Sequence, residues 1–311
     1  MKMKKTLLFI SLIAAILLGV LWLSNNLLKR SLRGTLYVSD GEGWYLYDWK
    51  TERMHAIAWI GNASILKMCD AGNGEIWALS YVDENKYILQ RRNPEEVLYE
   101  TELSFKPVDM CAYNKGVLLI RETNDYFQHM AGQKLSLRAG AGEIIYLAAD
   151  GSEPQTLVEC GFNTYPTESF LASQENCFTF LPRDFKVIEK ERVVCKTESI
   201  LAFENGSIHK QSIPEDIWAL CAGGNTFVAV GPNRIYTFSP LSGIKTKGIK
   251  CNGVSKGTVS PDGKYYLFLR SHGIWGDTMD AYIMNISTGL MIRLKGMTGY
   301  EGANFMFCWI D

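Results

Sequence analysis

The sequence has few of the motifs that mark an enzyme. It contains no His-Glu-x-x-His zinc motif and no glycine-rich loop of the phosphate-binding kind. The eight cysteines include no Cys-x-x-Cys pair, which is the usual spacing in thiol redox centres and zinc sites. The four histidines are scattered along the chain, at His55, His129, His209 and His272. We therefore expect no cofactor and no resident metal ion.

An excess of charge of one sign is also missing. The chain has 32 lysines and arginines against 33 aspartates and glutamates. No block of basic residues occurs after Arg33, whereas a protein that binds nucleic acid needs a basic surface. The composition thus argues against a nucleic-acid partner.

Long apolar runs are absent except for one near the amino terminus. Lys2, Lys4 and Lys5 precede a run from Leu7 to Leu23. At about 1.5 Å per residue, roughly 17 to 22 helical residues cross most or all of a bilayer core of about 30 Å. We expect residues 1–30 to form a basic cytoplasmic tail and a single transmembrane signal anchor, with residues 6–28 in the membrane.

The alternative for this run is a cleaved signal peptide. Trp22 stands where a signal peptidase needs a small residue, and no cysteine follows to accept a lipid, which favours the uncleaved anchor. Lys29, Arg30 and Arg33 nearly balance the charge of the amino-terminal side, so the predicted orientation depends on the short basic tail remaining in the cytoplasm. The rest of the chain would then lie outside the cytoplasm.

The segment from Gly257 to Lys295 has the pattern of four consecutive β-strands. Its alternating apolar runs are separated by Pro261-Asp262-Gly263 and Ser287-Thr288-Gly289, which are turn sequences. Such a sheet cannot bury both faces alone, so similar units are expected at a period of about 40 to 50 residues. Four weaker units begin near Ile65, Pro107, Ser169 and Asp216.

Two incomplete fragments remain at the ends of this region. Residues 34–59 provide three strands, and residues 304–311 provide one. The last fragment matches the first strands of three other units, because an apolar run in each ends in a cysteine: Cys69, Cys111, Cys221 and Cys308. We expect the two chain ends to share one sheet, which would close a ring of six.

The run from Ser260 to Tyr265, together with Ser287-Thr288-Gly289, resembles the repeat of TolB-like and WD40-like β-propellers. Only the last unit matches this repeat well. The resemblance implies an all-β, six-bladed β-propeller over residues 34–311, with a closing blade made from both ends of the chain. Members of that superfamily serve mainly as binding platforms of the cell envelope or as accessory domains of peptidases.

Three insertions fall between the second and third strands of their units, at residues 123–142, 183–197 and 271–280. In a propeller these connections emerge on one face, and long loops on a rigid scaffold often carry function. The candidate partner-binding residues are Tyr126, Phe127, His129, Trp275 and Asp277. The alternative is that these loops are tolerated insertions with no binding role.

The cysteines allow two interpretations. On inner strands they can act as small hydrophobic side chains, or they can line the channel and hold a metal or a thiol function. Cys177 and Cys195 flank one insertion and are the most plausible disulfide pair in an oxidising compartment.

These features predict a membrane-anchored, extracytoplasmic platform that binds an envelope protein, peptide or glycan without catalysis. The alternative is a metal-dependent hydrolase or lyase whose channel would use Asp70, Asp109 and Asn114. A third possibility is a sensor or assembly subunit that docks through its anchor helix. Within that helix, Gly19 is the only glycine and no packing motif supports the third possibility.

Overall fold

The computed structural model describes residues 11–311, apart from positions 12, 14, 17–18, 20–22, 24–25, 58, 60–63, 84–85, 130–135, 161–164, 175, 189–191, 197–198, 245–246, 273–277 and 301–304. The described part is built from 25 strands in six sheets. Four of the sheets are antiparallel meanders whose strands follow one another in sequence. The exceptions are the sheet that contains the carboxyl-terminal strand and a five-stranded sheet in which one strand lies off the path of the other four.

The strands group into six blades. Blade one contains β1 (Thr35–Ser39), β2 (Trp44–Asp48), β3 (Arg53–Ala56) and β25 (Met306–Ile310). Blade two contains β4 (Ser64–Gly72), β5 (Glu75–Asp83), β6 (Lys86–Arg92) and β7 (Val97–Leu103). Blade three contains β8 (Met110–Tyr113), β9 (Gly116–His129), β10 (Ser136–Ala148) and β11 (Gln155–Cys160). Blade four contains β12 (Tyr165–Gln174), β13 (Cys177–Ile188), β14 (Arg192–Lys196), β15 (Ser199–Glu204) and β16 (Ser207–Ser212). Blade five contains β17 (Ala219–Gly223), β18 (Thr226–Val230), β19 (Arg234–Phe238) and β20 (Ile249–Lys250). Blade six contains β21 (Val254–Val259), β22 (Tyr265–His272), β23 (Thr278–Asn285) and β24 (Met291–Tyr300).

The inner strands form a closed ring. β4 contacts β8, β8 contacts β12, β12 contacts β17, β17 contacts β21, β21 contacts β25, and β25 contacts β4. Apolar clusters fill the spaces between neighbouring blades, as expected for sheets that must bury both faces. The predicted six-bladed β-propeller is confirmed.

Blade one closes the ring with strands from both ends of the chain. β25 is its inner strand and pairs antiparallel with β1, with Leu36 opposite Trp309 and Tyr37 opposite Cys308. Cys308, Trp309 and Ile310 are each 2% exposed, so the carboxyl-terminal strand is part of the core. The predicted closing blade is therefore confirmed.

The Pro-Asp-Gly turn of blade six shows why this unit is recognisable in the sequence. Gly263 has a φ of 72°, and a Cβ at this position would lie 2.9 Å from the carbonyl oxygen of Gly223 in blade five. The Ser260 hydroxyl donates to Asp262, and the Tyr265 amide donates to the Ser260 hydroxyl. These contacts require the same residue types that the sequence repeat contains.

The outer strand of blade five is short and covers residues 249–250. The three insertions are not irregular loops where they are described, because most of their residues continue the second and third strands as hairpins. Strand pairing satisfies the backbone groups that a long loop would leave to water.

The described residues between positions 11 and 31 are helical, with an unbroken segment at 26–31. Among the described residues, no helix is both long enough and apolar enough to cross a membrane. The predicted anchor stays a prediction, as do the predicted bounds of the two segments, 1–30 and 34–311.

Candidate binding face and central channel

All six blades have the same strand order, so the turns that join second and third strands emerge on one side of the ring. We call this side the hairpin face. It carries residues 40–43 of blade one and the β9–β10, β13–β14 and β22–β23 hairpins. The turns that join inner strands to second strands, such as Asn73-Gly74, lie on the opposite face.

Two of these hairpins extend beyond their blades as two-stranded ribbons. In blade three, β8 pairs with β9 only from Gly116 to Leu119, whereas β9 and β10 remain paired as far as His129 and Ser136. In blade four, β13 and β14 remain paired as far as Ile188 and Arg192. Because the ribbons have few strands beside them, the hairpin face carries projections that the ring itself does not need.

The predicted contact residues fall partly on these projections. Tyr126, Phe127 and His129 lie in β9, where their backbone partners on β10 are Ala139, Arg138 and Ser136. The sequence analysis thus predicted an insertion at the correct place in blade three, but it predicted a loop where the structure has a paired hairpin. Trp275 and Asp277 lie outside the described residues.

The inner strands surround a central channel with a cavity of about 1160 Å³. All six blades contribute to its wall. The wall contains thiol, apolar and charged groups, and its charged residues include Lys67, Asp70 and Asp109. A cavity of this size is large enough to admit a small ligand.

Asp109 is bound from several directions. Its side chain is 1% exposed and forms an ion pair with Lys67 of blade two. Its carboxylate also accepts a hydrogen bond from the Met110 amide (2.8 Å) and one from the Leu171 amide of blade four (3.2 Å). A buried carboxylate needs such partners, and these join three neighbouring blades at the channel. Asp109 therefore has a structural role that the sequence did not reveal.

Asp70 is a channel carboxyl whose pKa is raised. Its pKa is raised from 3.8 to about 6, mainly by burial and to a smaller extent by the charge of Asp311, while the hydrogen bond from the Gly72 amide acts in the opposite direction. The channel thus contains a carboxyl group that changes charge in a weakly acidic range.

Asp70→Asn should increase stability at pH 8 by about 1–2 kcal/mol, a value reduced for partial solvent exposure. The folded chain binds more protons than the unfolded chain between roughly pH 4 and 6, so stability falls as pH rises through about 6. Thermal unfolding at pH 4, 5, 6 and 8 measures this slope, which the variant should flatten. Asp48→Asn is a control in which the pKa shift has the opposite sign. Hydrogen bonding by the Lys50 amide lowers the pKa of Asp48, whereas that of Asp70 is raised. An unchanged slope in Asp70→Asn would contradict the assignment.

Three channel cysteines lie on adjacent inner strands, Cys308 on β25, Cys69 on β4 and Cys111 on β8. Burial raises the pKa of Cys69 and of Cys111 to about 12 and the pKa of Cys308 well above its usual range. Such thiols stay protonated at neutral pH, which disfavours thiolate chemistry. The observation supports the interpretation of these cysteines as small apolar side chains.

The suggested Cys177–Cys195 disulfide is wrong. Cys177 is a free thiol at the start of β13, opposite Glu204. Cys195 lies opposite Phe185, eight positions further along β13, or about 26 Å at 3.3 Å per residue. A disulfide requires Cα atoms closer than about 7 Å.

Two of the suggested channel ligands, Asp109 and Asn114, do not come together. Asp109 precedes β8 and Asn114 follows it, so they lie at opposite ends of the strand, about 16 Å apart. Across the described ranges, no three histidine, cysteine, aspartate or glutamate residues are grouped so that they could hold a metal ion.

The sequence also contains one motif that is found in hydrolases. Residues 253–257 read Gly-Val-Ser-Lys-Gly, which matches the Gly-x-Ser-x-Gly pattern of hydrolase nucleophile elbows. That elbow is a strand-to-helix turn, whereas Ser255 lies in β21 at a register shift. The Ser255 hydroxyl donates to the Leu269 carbonyl (3.2 Å), and a Cβ on Gly257 would lie 1.9 Å from the Leu267 carbonyl oxygen. Close strand packing accounts for the second glycine.

No protein-family model matches the sequence, and no curated protein matches it. Solved structures do match. The putative TolB from Agrobacterium tumefaciens has a TM-score of 0.53 at 12% identity, with 90% of this chain and 99% of that chain covered. The chain described here therefore has the fold of the TolB-like propellers.

Two further propellers extend the comparison. A putative 6-phosphogluconolactonase from Bacteroides uniformis has a TM-score of 0.51 at 12% identity, with 89% of this chain and all of that chain covered. TolB from Acinetobacter baumannii has a TM-score of 0.42 at 12% identity. The match covers 82% of this chain and 65% of that protein. At these identities the similarity establishes the fold alone.

Proposed function

We propose that this propeller is a membrane-anchored, extracytoplasmic platform that binds an envelope protein, peptide or glycan partner without catalysing a reaction. The supporting observation is the pair of two-stranded ribbons that extend from the hairpin face. The six-bladed ring holds these ribbons on a rigid body, which reduces the ordering cost of binding.

Two observations support the anchor in this proposal: the sequence of the amino-terminal segment and the exposure of its apolar side chains. Three lysines precede the apolar run, and the described apolar helical residues from Ile13 to Leu27 are exposed, including Ile13 at 42% and Ile16 at 56%. Exposed leucine and isoleucine side chains along a helix need an apolar surrounding, which a bilayer provides. The basic tail places the propeller outside the cytoplasm in this proposal.

Shortening the blade-three ribbon should abolish partner binding and leave the ring intact. Glu122 and Gly142 are paired, so replacing residues 123–141 with an Asn-Gly turn joins them by a two-residue hairpin. We expect the melting temperature to change by no more than about 2 °C, because β8 and β11 do not pair with the removed part. The readout is the amount of partner captured by cross-linking in native membranes.

A matched control changes exposed residues on the opposite face of the same blade. Ser152 and Glu153 lie in the turn after β10, and their replacement by alanine should leave both partner capture and melting temperature unchanged. If the shortened chain captures as much partner as the intact chain, the ribbon is not the binding element.

The alternative is a metal-dependent hydrolase or lyase that uses the channel. The cavity of about 1160 Å³ and the similarity to a putative lactonase favour it. Elemental analysis of the purified chain, with thermal unfolding in the presence of divalent ions, separates the two proposals. A stoichiometric ion that is lost in Asp70→Asn would support the enzyme, whereas ion-independent stability with ribbon-dependent binding supports the platform.

A further inference from the structure

The chain enters the propeller on the face opposite the hairpins. The helical segment 26–31 leads into β1, which is the second strand of blade one. β1 runs toward the turn at residues 40–43, which belongs to the hairpin face. The helix therefore reaches the ring at the other end of this strand.

The end of this helix is packed into the ring rather than tethered to it. Leu28 and Leu32 are 6% and 8% exposed and belong to the apolar cluster between blades six and one. Ser31 shares a hydrogen bond of 2.5 Å with the hydroxyl of Tyr265, at the start of β22. Lys29 forms an ion pair with Glu52 in the turn after β2. These contacts involve two blades and lie on the face opposite the hairpins.

The backbone that follows the helix is also fixed. The Trp309 indole donates to the Arg33 carbonyl (2.7 Å), and the Trp49 indole donates to the Gly34 carbonyl (3.0 Å). Both tryptophans belong to the same blade-one region, and their rings lie 5.2 Å apart. The connection between helix and ring thus contains no free linker.

The helical residues further from the ring are exposed. Leu23 and Leu27 are 53% and 58% exposed, in contrast to Leu28 one position later. Leu23 and Leu27 are one helical turn apart and share a face, so this face does not pack on the ring. Arg30 and Arg33 are exposed at the joint, where they suit a surface of anionic lipid headgroups. An apolar face of the helix is therefore available to the bilayer.

We propose that this joint, from Leu28 to Gly34, holds the propeller in one orientation on the bilayer, with the hairpin face directed away from the membrane. The inference rests on the proposed function, because it takes the bilayer as the site of the helix. It narrows the partner class: the partner is a protein, peptide or glycan that approaches from the aqueous side of the envelope, not a neighbour embedded in the same membrane.

Two turns of blade one offer matched probe positions. Glu42 is exposed on the hairpin face and Lys50 on the opposite face, and each follows an aspartate that accepts a hydrogen bond from its backbone amide. The full chain carrying Glu42→Cys or Lys50→Cys is labelled with a maleimide donor dye and reconstituted in vesicles whose lipids carry an acceptor on the headgroup. The parent chain, treated in the same way, gives the background from native thiols.

Energy transfer should be at least about twofold greater from position 50 than from position 42, because strand β2 separates the two turns by about 17 Å. Equal transfer, or greater transfer from position 42, would overturn the orientation while leaving the anchor intact. If the labelled chain fails to float with the vesicles, the membrane anchor itself is wrong, and the inference fails with it. Flotation and energy transfer thus separate the two failures.

Discussion

A chain that begins at Gly34 should unfold at a temperature about 10 °C lower than a chain that begins at Asn26. The shorter chain loses Leu28 and Leu32, and burying a leucine contributes about 1.5–3 kcal/mol. It also loses the Ser31–Tyr265 hydrogen bond and the carbonyl that accepts from Trp309, each contributing about 1 kcal/mol. These contributions add to at least about 5 kcal/mol, which corresponds to a fall of about 10 °C at about 2 °C per kcal/mol, the low end of the usual range. Differential scanning calorimetry of the two chains measures it.

Two neighbouring leucines provide the matched control in the longer chain. Leu28→Ala should destabilise by about 2–4 kcal/mol, because the side chain is buried between blades six and one. Leu27→Ala, at a side chain that is 58% exposed, should change stability by less than about 0.5 kcal/mol. Equal effects at the two positions, or equal stability of the two chain lengths, would show that the helix end does not pack on the ring.

Replacing Trp309 by alanine should destabilise the ring by about 3–5 kcal/mol. The side chain is 2% exposed, its ring lies 5.2 Å from that of Trp49, and its indole nitrogen donates to Arg33. It lies on β25, the strand that closes the ring, so the lost packing weakens the junction between the chain ends. Urea unfolding followed by circular dichroism gives the free energy of unfolding.

Two further variants distinguish the loss of ring closure from the loss of any tryptophan side chain as the cause of a lower stability. Trp309→Phe keeps an aromatic ring and removes the indole donor, so its cost should be smaller, about 1–2 kcal/mol. Trp218→Ala removes a tryptophan that is 39% exposed and should cost less than about 0.5 kcal/mol. A Trp309→Ala variant as stable as Trp218→Ala would contradict the role of β25 in closing the ring.

The sequence predicted the ring where local chemistry repeats. Gly263 must adopt a positive φ beside blade five, so the Pro-Asp-Gly turn is visible in the sequence. The other blades use different solutions for the same turn, such as Asn73-Gly74, in which both residues have positive φ. The closing strand was predicted because Cys308 occupies the position that Cys69 and Cys111 have in their blades.

The sequence could not predict contacts between residues far apart in the chain. The partner of Ser31, Tyr265, lies 234 residues away, and nothing near Leu28 indicates that it is buried whereas Leu27 is exposed. For the same reason Asp109 was interpreted as a possible metal ligand, although Lys67 and Leu171 bind it from other blades. Tyr126, Phe127 and His129 were correctly placed on a projection, but its strand structure depends on pairing across the hairpin.

Site-specific photo-cross-linking in the native membrane tests whether the hairpin face binds the partner. A photoreactive amino acid would replace Phe127, on the blade-three ribbon, or Lys50, on the opposite face. We expect a discrete cross-linked product from position 127 and none from position 50. In a parallel experiment, the chain in which the Asn-Gly turn replaces residues 123–141 should capture no partner. No product from position 127, or the same product from both positions, would contradict the hairpin face as the binding surface.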